Sequence, residues 1–297
     1  AMHQKASTMG FAVKRMPSRW VRQNQDEFKS SYPNSSELPW VDVGVVSYLN
    51  SIRYPFACKL LGVFMDAEFT YVASSFASLG DLFAWIDTAP PVGTERETVI
   101  KPLVVQIFTA VKMLHEIGIA HRDISLENIL LTREGDGELE IKLIDFGMAT
   151  LQRTCVGQIR GKQSYQAPEM HFNEEVDNFL ADVFAVGVVV YALALSDYPW
   201  TSTKPNSCKL FEYIADCGLR EFMKKRKVRK SEAFLIQVIS TELISLLEGL
   251  CEVEPDDRFS LGESCFHNSS VNGRYSAWRS AWMKQDAGQP RRGCRIS

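Results

Sequence analysis

Asp123, Asn128 and Asp145 lie in two segments, His121-Arg122-Asp123-Ile124-Ser125-Leu126-Glu127-Asn128 and Asp145-Phe146-Gly147. A carboxylate is thus followed by an amide five residues on and by a second carboxylate 17 beyond that. The first carboxylate can orient a hydroxyl by accepting its proton. The amide oxygen and the second carboxylate are ligands that hard Mg²⁺ prefers. Phosphoryl transfer asks a protein for those parts, because it depends on positioning and charge neutralisation more than on covalent help. Asp and Asn also favour turns and caps for local reasons. Together with a third marker downstream, Ala167-Pro168-Glu169, the order and spacing argue against coincidence.

Hydrophobic spacing outlines the elements that must position these residues. Residues 9–15 are β-rich and predict a strand ending near Pro17, while 18–39 is polar and irregular. Val41, Val45, Tyr48, Leu49 and Ile52 recur at helical intervals. Two apolar runs, 59–64 and 69–74, flank Met65-Asp66-Ala67-Glu68 as a hairpin. Helical spacing then dominates over 81–87, 97–117, 176–195 and 232–252. Just before Asp145, short apolar runs at 129–131 and 140–144 bracket the turn Glu134-Gly135-Asp136-Gly137.

With 297 residues, 45% of them hydrophobic and 23% charged, the chain has the composition of an ordinary soluble globular protein. A net charge of −3 offers no whole-molecule attraction to nucleic acid, so no nucleic-acid partner is expected. The longest apolar run, 184–195, is about twelve residues, so no membrane span is expected. Seven scattered cysteines without a C-x-x-C pair suggest a reduced, intracellular and cytoplasmic protein without structural zinc. The N-terminus reads as neither a signal nor a transit peptide. The basic run 224–230 reads as a solvated face rather than an import signal.

From these segments the chain resembles the eukaryotic protein kinases, from about Phe11 to about His267. The resemblance makes Ala167-Pro168-Glu169 the end of an activation segment. It implies that Asp123 accepts or orients the substrate hydroxyl proton, and that Asn128 and Asp145 hold the metal. Phe11-Ala12-Val13-Lys14 resembles the strand whose lysine pairs the α- and β-phosphates, with Asp42 as the expected acidic partner of Lys14 and Glu37 as its rival. His121 and Phe146 are expected in an apolar column, and Arg122 as the receiver of a phosphorylated loop. Asp182 is expected to accept backbone N–H groups of the catalytic loop, and Glu169 with Arg258 to form a buried ion pair. The implied nucleotide site takes in Ala12, Leu130, backbone groups at Ser75 and Ala77, and Asp81 facing the ribose. Small Ser74 stands at its back.

The chain departs from the family in three places. Only ten residues precede Phe11, with one glycine, Gly10, whereas two strands and a phosphate-covering turn need roughly twenty. Truncation or a branch without the loop would explain this. Lys14-Arg15-Met16-Pro17 with Trp20, and Glu37-Leu38-Pro39-Trp40, resemble the FIKK-type, with-no-Gly-loop kinases. Ser125 stands where many Ser/Thr kinases carry a lysine that contacts the γ-phosphate; the working hypothesis is that Lys162 supplies that cation. Gln158 occupies the usual position of an activating phosphate, with Thr154 nearby, so constitutive activity and phospho-control both stay open.

The implied fold class is α+β: a two-lobed protein-kinase fold with a reduced β-rich lobe at 1–75 and a connection at 76–80. A mainly helical lobe at 81–269 and a partly disordered tail at 270–297 follow. The implied activity is transfer of the γ-phosphate of ATP, with Mg²⁺ or alternatively Mn²⁺, to Ser/Thr hydroxyls of a protein substrate. Leu126-Glu127-Asn128 favours Ser/Thr over Tyr. A pseudokinase scaffold acting through protein contacts is the alternative, motivated by the missing loop and by Ser125.

Overall fold

A computed structural model describes residues 10–22, 24–33, 35–133, 137–229, 231–266 and 273–285. Contacts divide the chain into two compact units, Ala1–Gly80 with Leu130–Ala149, and Asp81–Ile129 with Thr150–Ser297. The helical lobe expected from 81 onward is therefore interrupted. Residues 130–149 join the first unit because Leu131 N–H donates to Gly80 O (2.8 Å) and Leu143 N–H to Phe56 O (2.6 Å).

In the first unit, β1 (Phe11–Pro17), β2 (Leu60–Met65) and β3 (Phe69–Ser75) form an antiparallel sheet in the order β1-β3-β2. The β2–β3 turn is closed by Asp66, whose Oδ1 accepts from Glu68 N–H (2.8 Å) and Phe69 N–H (2.6 Å). The stretch expected to be irregular holds two short helices, α1 (Ser18–Arg22) and α2 (Gln25–Ser31). Asn24 caps α2 through Glu27 N–H at 2.8 Å. Both are too short to show a helical period. They are held instead by rings: Phe28, 2% exposed, packs 4.9 Å from Tyr32 and 5.1 Å from Trp40, and Trp20 lies 5.7 Å from Tyr32. α3 (Pro39–Ser51) begins with proline at its first turn, where a missing N–H does no harm, and buries Asp42 and Leu49. β4 (Ile129–Thr132) and β5 (Glu140–Leu143) pair, while 134–136 of the expected turn lie outside the described residues.

The second unit starts with α4 (Leu82–Trp85) and the 23-residue α5 (Thr94–Glu116). β6 (Thr154–Val156) pairs with β7 (Glu175–Asp177), and Asp177 caps α6 (Asn178–Leu195) through Phe179 N–H at 2.9 Å. Every residue of α6 is buried. By length and composition α5 and α6 are both apolar enough to cross a bilayer, but α6 is covered by protein along its whole length, as a core helix is. α7 (Lys209–Cys217), α8 (Leu219–Lys225), α9 (Leu235–Val238) and α10 (Thr241–Leu250) follow. The helix expected over 232–252 breaks at Ser240, whose Oγ accepts from Leu243 N–H (3.2 Å) and so begins α10.

The expected tail from 270 gives way, over 273–285, to a packed segment ending in α11 (Ala281–Lys284). Trp282 is 2% exposed, and its Nε1 donates to Glu97 Oε2 at 3.0 Å. Glu97 also accepts from the N–H and Oγ of Ser240, each at 2.6 Å. Arg274 Nη1 donates to the carbonyls of Pro255, Asp256 and Arg258. The rest of the expected tail, 286–297, lies outside the described residues.

Candidate active site

In the first unit, strand alternation puts Lys14 on the same face as buried Met16. Lys14 Nζ lies 2.8 Å from Asp42 Oδ2 and 3.1 Å from Asp145 Oδ1. The other oxygen of Asp42 accepts from Phe146 N–H at 2.9 Å, so one buried carboxylate ties strand, helix and the 145–147 turn together. Glu37, the rival partner, stands beside the 145–147 turn and lines the same cavity as Lys14. Leu38 N–H donates to Gly147 O (2.8 Å), and a Cβ built on Gly147 would stand 3.3 Å from Glu37 Cβ. Partial burial alone would pull the Lys14 ammonium down, but Asp42 and then Asp145 outweigh it and hold its pKa above the usual lysine value. Asp145 has φ 63°, a left-handed conformation that Asp tolerates better than most residues.

The expected nucleotide-lining residues are placed as follows. Ala12 faces Ser74 across the β1–β3 pair, and Leu130 is half-buried in β4. Ser75 N–H donates to Lys59 O (2.8 Å), and its Oγ accepts from Lys59 N–H (2.9 Å). Ala77 is buried. Asp81 belongs to the second unit and caps α4, with Oδ1 accepting from Ala84 N–H at 2.8 Å.

In the second unit, Asp182 pins the loop that carries Asp123. Its Oδ2 accepts from His121 N–H (2.7 Å) and its Oδ1 from Arg122 N–H (2.8 Å), fixing a turn in which Arg122 has φ 65°. Asp123 N–H donates to His121 Nδ1 at 3.3 Å. Asn128 Nδ2 donates to Asp123 O (2.8 Å) and to Asp123 Oδ2 (2.7 Å). With its nitrogen turned inward, Asn128 presents the amide oxygen as the group that could meet a hard cation. Gly161 (φ 80°) packs against this loop so closely that a Cβ there would lie 2.9 Å from Arg122 O and 3.5 Å from Asp123 Oδ1.

Arg122 Nη2 donates to Gln158 Oε1 at 3.0 Å, so a neutral amide meets the guanidinium where a phosphorylated loop was expected. Burial pulls the Arg122 pKa down. Lys162 Nζ donates to Ser125 Oγ (2.5 Å) and lies 3.4 Å from Glu127 Oε2. Glu169 meets Arg258 through two bonds, Nη1 to Oε1 (2.6 Å) and Nη2 to Oε2 (2.8 Å). Arg258 is fully buried and also donates to the carbonyls of Leu180, Glu252 and Val253.

One functional arrangement escaped the sequence reading. His115 bridges Asp182 (Nε2 to Oδ2, 3.1 Å) and Glu263 (Nδ1 to Oε1, 2.7 Å) and stacks 4.2 Å from Phe179. Burial alone would lower its pKa, but hydrogen bonds and charge from the two carboxylates outweigh burial and raise it to about 9. Its partners lie 67 and 148 residues away, so no local spacing announces them.

Among the described residues no three His, Cys, Asp or Glu side chains cluster as a ready-made metal centre. Mg²⁺ commonly binds through one or two protein oxygens together with substrate phosphates. The Asp145 carboxylate, whose side chain is 29% exposed, and the Asn128 amide oxygen fit that use by donor type. A cationic Lys14 fits an anionic phosphate equally well.

A family model described as the protein kinase domain matches residues 3–269. The chain is 27% identical over 233 residues to the serine/threonine-protein kinase RAD53 of Saccharomyces cerevisiae, covering 74% of this chain and 26% of that protein. It is 29% identical over 233 residues to the mitosis inducer protein kinase cdr1 of Schizosaccharomyces pombe, with coverage of 77% and 36%. Against the serine/threonine-protein kinase SBK1 of Danio rerio it is 33% identical over 166 residues, with coverage of 54% and 42%. The chain thus spans less than half the length of each of these relatives.

Proposed function

We propose, on the premise that this chain belongs to the protein kinase domain family, that it transfers the γ-phosphoryl group of Mg·ATP to serine and threonine hydroxyls of proteins. The observation that carries this reading is the Asp123 carboxylate, gripped by Asn128 and held in a loop that Asp182 pins through two backbone N–H groups. Bound Mg·ATP supplies the transferable group and the cation that neutralises its charge. Asp123 accepts the proton of the acceptor hydroxyl, and Asn128 fixes the rotamer in which it does so. Asn128 and Asp145 offer oxygens to the metal, and Lys14, kept cationic by Asp42, grips phosphate oxygens.

Lys162, bonded to the Ser125 hydroxyl, brings a cation to the position where the family commonly has a lysine. The choice of Ser/Thr over Tyr is supported by Leu126-Glu127-Asn128 and by the names of the relatives. Assignment to the FIKK-type, Gly-loop-less branch belongs to the same proposal and rests on the 14–20 and 37–40 segments. An intracellular, cytoplasmic setting rests on the scattered cysteines.

The test is phosphate incorporation into the protein itself and into a generic basic protein, read by mass spectrometry with Mg²⁺ or Mn²⁺. Phosphoserine or phosphothreonine that disappears in both Asp123→Asn and Asp145→Asn is the expected result. Undiminished incorporation in either variant would refute the assigned roles. A parent chain that binds partner proteins but never transfers phosphate would favour the scaffold alternative.

A further inference from the structure

The first unit encloses a cavity of about 340 Å³ around Lys14, of a size that suits a small-molecule group. Its walls include Lys14, Trp20, Tyr32, Ser36, Glu37 and Gly147. The wall opposite the strand is made by α1 and α2, whose rings are locked to one another and, through Phe28, to Trp40 of α3. A segment that served only to cover β1 and α3 would close onto them. This one instead stands off and leaves space beside a charged ammonium.

The loop that follows α2 is anchored on both sides of Ser36. Ser35 N–H donates to Tyr32 O (3.0 Å), Ser35 Oγ donates to Glu37 O (2.9 Å), and Leu38 N–H donates to Gly147 O (2.8 Å). Ser36 lines the same cavity as Lys14 and makes no hydrogen bond among the described residues. Its hydroxyl and amide are thus two unused donors on a residue that lines the cavity with Lys14. Lys14 is already shared between two carboxylates, so it cannot by itself neutralise a polyphosphate. Among the described residues β1 is an edge strand of its sheet.

We propose that α1, α2 and the loop 35–38 form the roof over the polyphosphate of the bound nucleotide, with the Ser36 hydroxyl and amide donating to phosphate oxygens beside Lys14. This rests on the function proposed above and deepens it. Backbone N–H groups with a short hydroxyl are donors well suited to phosphate. Glu37 and Asp42 bring two carboxylates to the cavity against one ammonium, so the ligand that fits is the metal complex and not the free polyanion. The roof thus comes from chain that follows the lysine strand.

Equilibrium binding of Mg·ATP, Mg·ADP and adenosine, measured by calorimetry on the full chain, tests this without reference to activity. Ser36→Ala removes the hydroxyl, Ser36→Pro removes both donors, and Lys14→Met is the control for the reading beneath. In Ser36→Ala, Mg·ATP and Mg·ADP are expected to bind roughly tenfold more weakly, as for a lost hydrogen bond to a charged group. Adenosine is expected to bind as before. If Ser36→Ala and Ser36→Pro keep parental Mg·ATP affinity while Lys14→Met loses it, the roof is refuted and the function stands. If Lys14→Met also keeps it, the function reading of this cavity falls with the roof. Equal weakening of adenosine and Mg·ATP would mark a general loss of fold and likewise refute the assignment. Should Ser36→Pro fail to fold, Ser36→Ala decides alone.

Discussion

Replacing His115 by glutamine removes a buried cation from between Asp182 and Glu263 while keeping a side chain that can hydrogen-bond. In the folded chain the imidazole pKa stands at about 9, against 6.5 for the free residue. At 1.36 kcal/mol per pH unit that difference corresponds to roughly 3 kcal/mol of stability. Because the folded value is the higher one, the contribution is fully present below about pH 6.5 and is lost as pH rises through about 9. The parent's own pH curve will not display this cleanly. Burial pushes the Cys208 thiol up, but hydrogen bonds from Thr201, Phe211 and Leu210 outweigh it and bring the pKa down to about 7. That thiolate adds stability with the opposite sign over the same range. The gap between parent and His115→Gln isolates the histidine. Urea unfolding should show a gap of about 3 kcal/mol near pH 6 that narrows by about 1.4 kcal/mol per pH unit above pH 6.5. A gap of constant size from about pH 6 to about pH 9.5 would refute the charged bridge.

Three further outcomes are expected. Glu169→Ala should lower the stability in urea by about 3 kcal/mol, the lower end for breaking a buried pair from one side, because Arg258 keeps three backbone carbonyls. Lys162→Met should reduce kcat roughly tenfold or more with little change in nucleotide affinity, whereas Lys14→Met should abolish transfer; unchanged transfer in Lys162→Met would remove its proposed role. Gly161→Ala places a side chain at φ 80° and 2.9 Å from Arg122 O, so it should cost about 1–2 kcal/mol in denaturation and a larger share of the transfer rate.

The parts of the site that chemistry dictates were legible in the sequence. Asp123, Asn128 and Asp145 must be those residue types at that spacing, and Asp42 was legible as the head of a helix following the lysine strand. The choice between Asp42 and Glu37 was not legible, because it depends on which carboxylate folding brings to 2.8 Å from Lys14 Nζ. α1 and α2 were illegible for a different reason. They are held by contacts among Trp20, Phe28, Tyr32 and Trp40 and not by a periodic apolar face. The single helix read over 232–252 failed at Ser240, whose capping role depends on Glu97, 143 residues earlier in the chain. His115 carries no local signal, because its partners are carboxylates that only folding brings near.

The placement of Trp282 bears on how this protein can be divided for experiment. The family match stops at residue 269, and a recombinant fragment ending there would follow the conventional domain boundary. Such a fragment would strip the indole from Glu97, take the carbonyls of Trp282 and Gln285 from Lys101, and remove the Arg274 clamp beside Arg258. The surface laid bare would include apolar core around α5 and α10, favouring aggregation. Silence from that fragment in a transfer assay would report the cut and not the chemistry, so expression should run at least through Gln285.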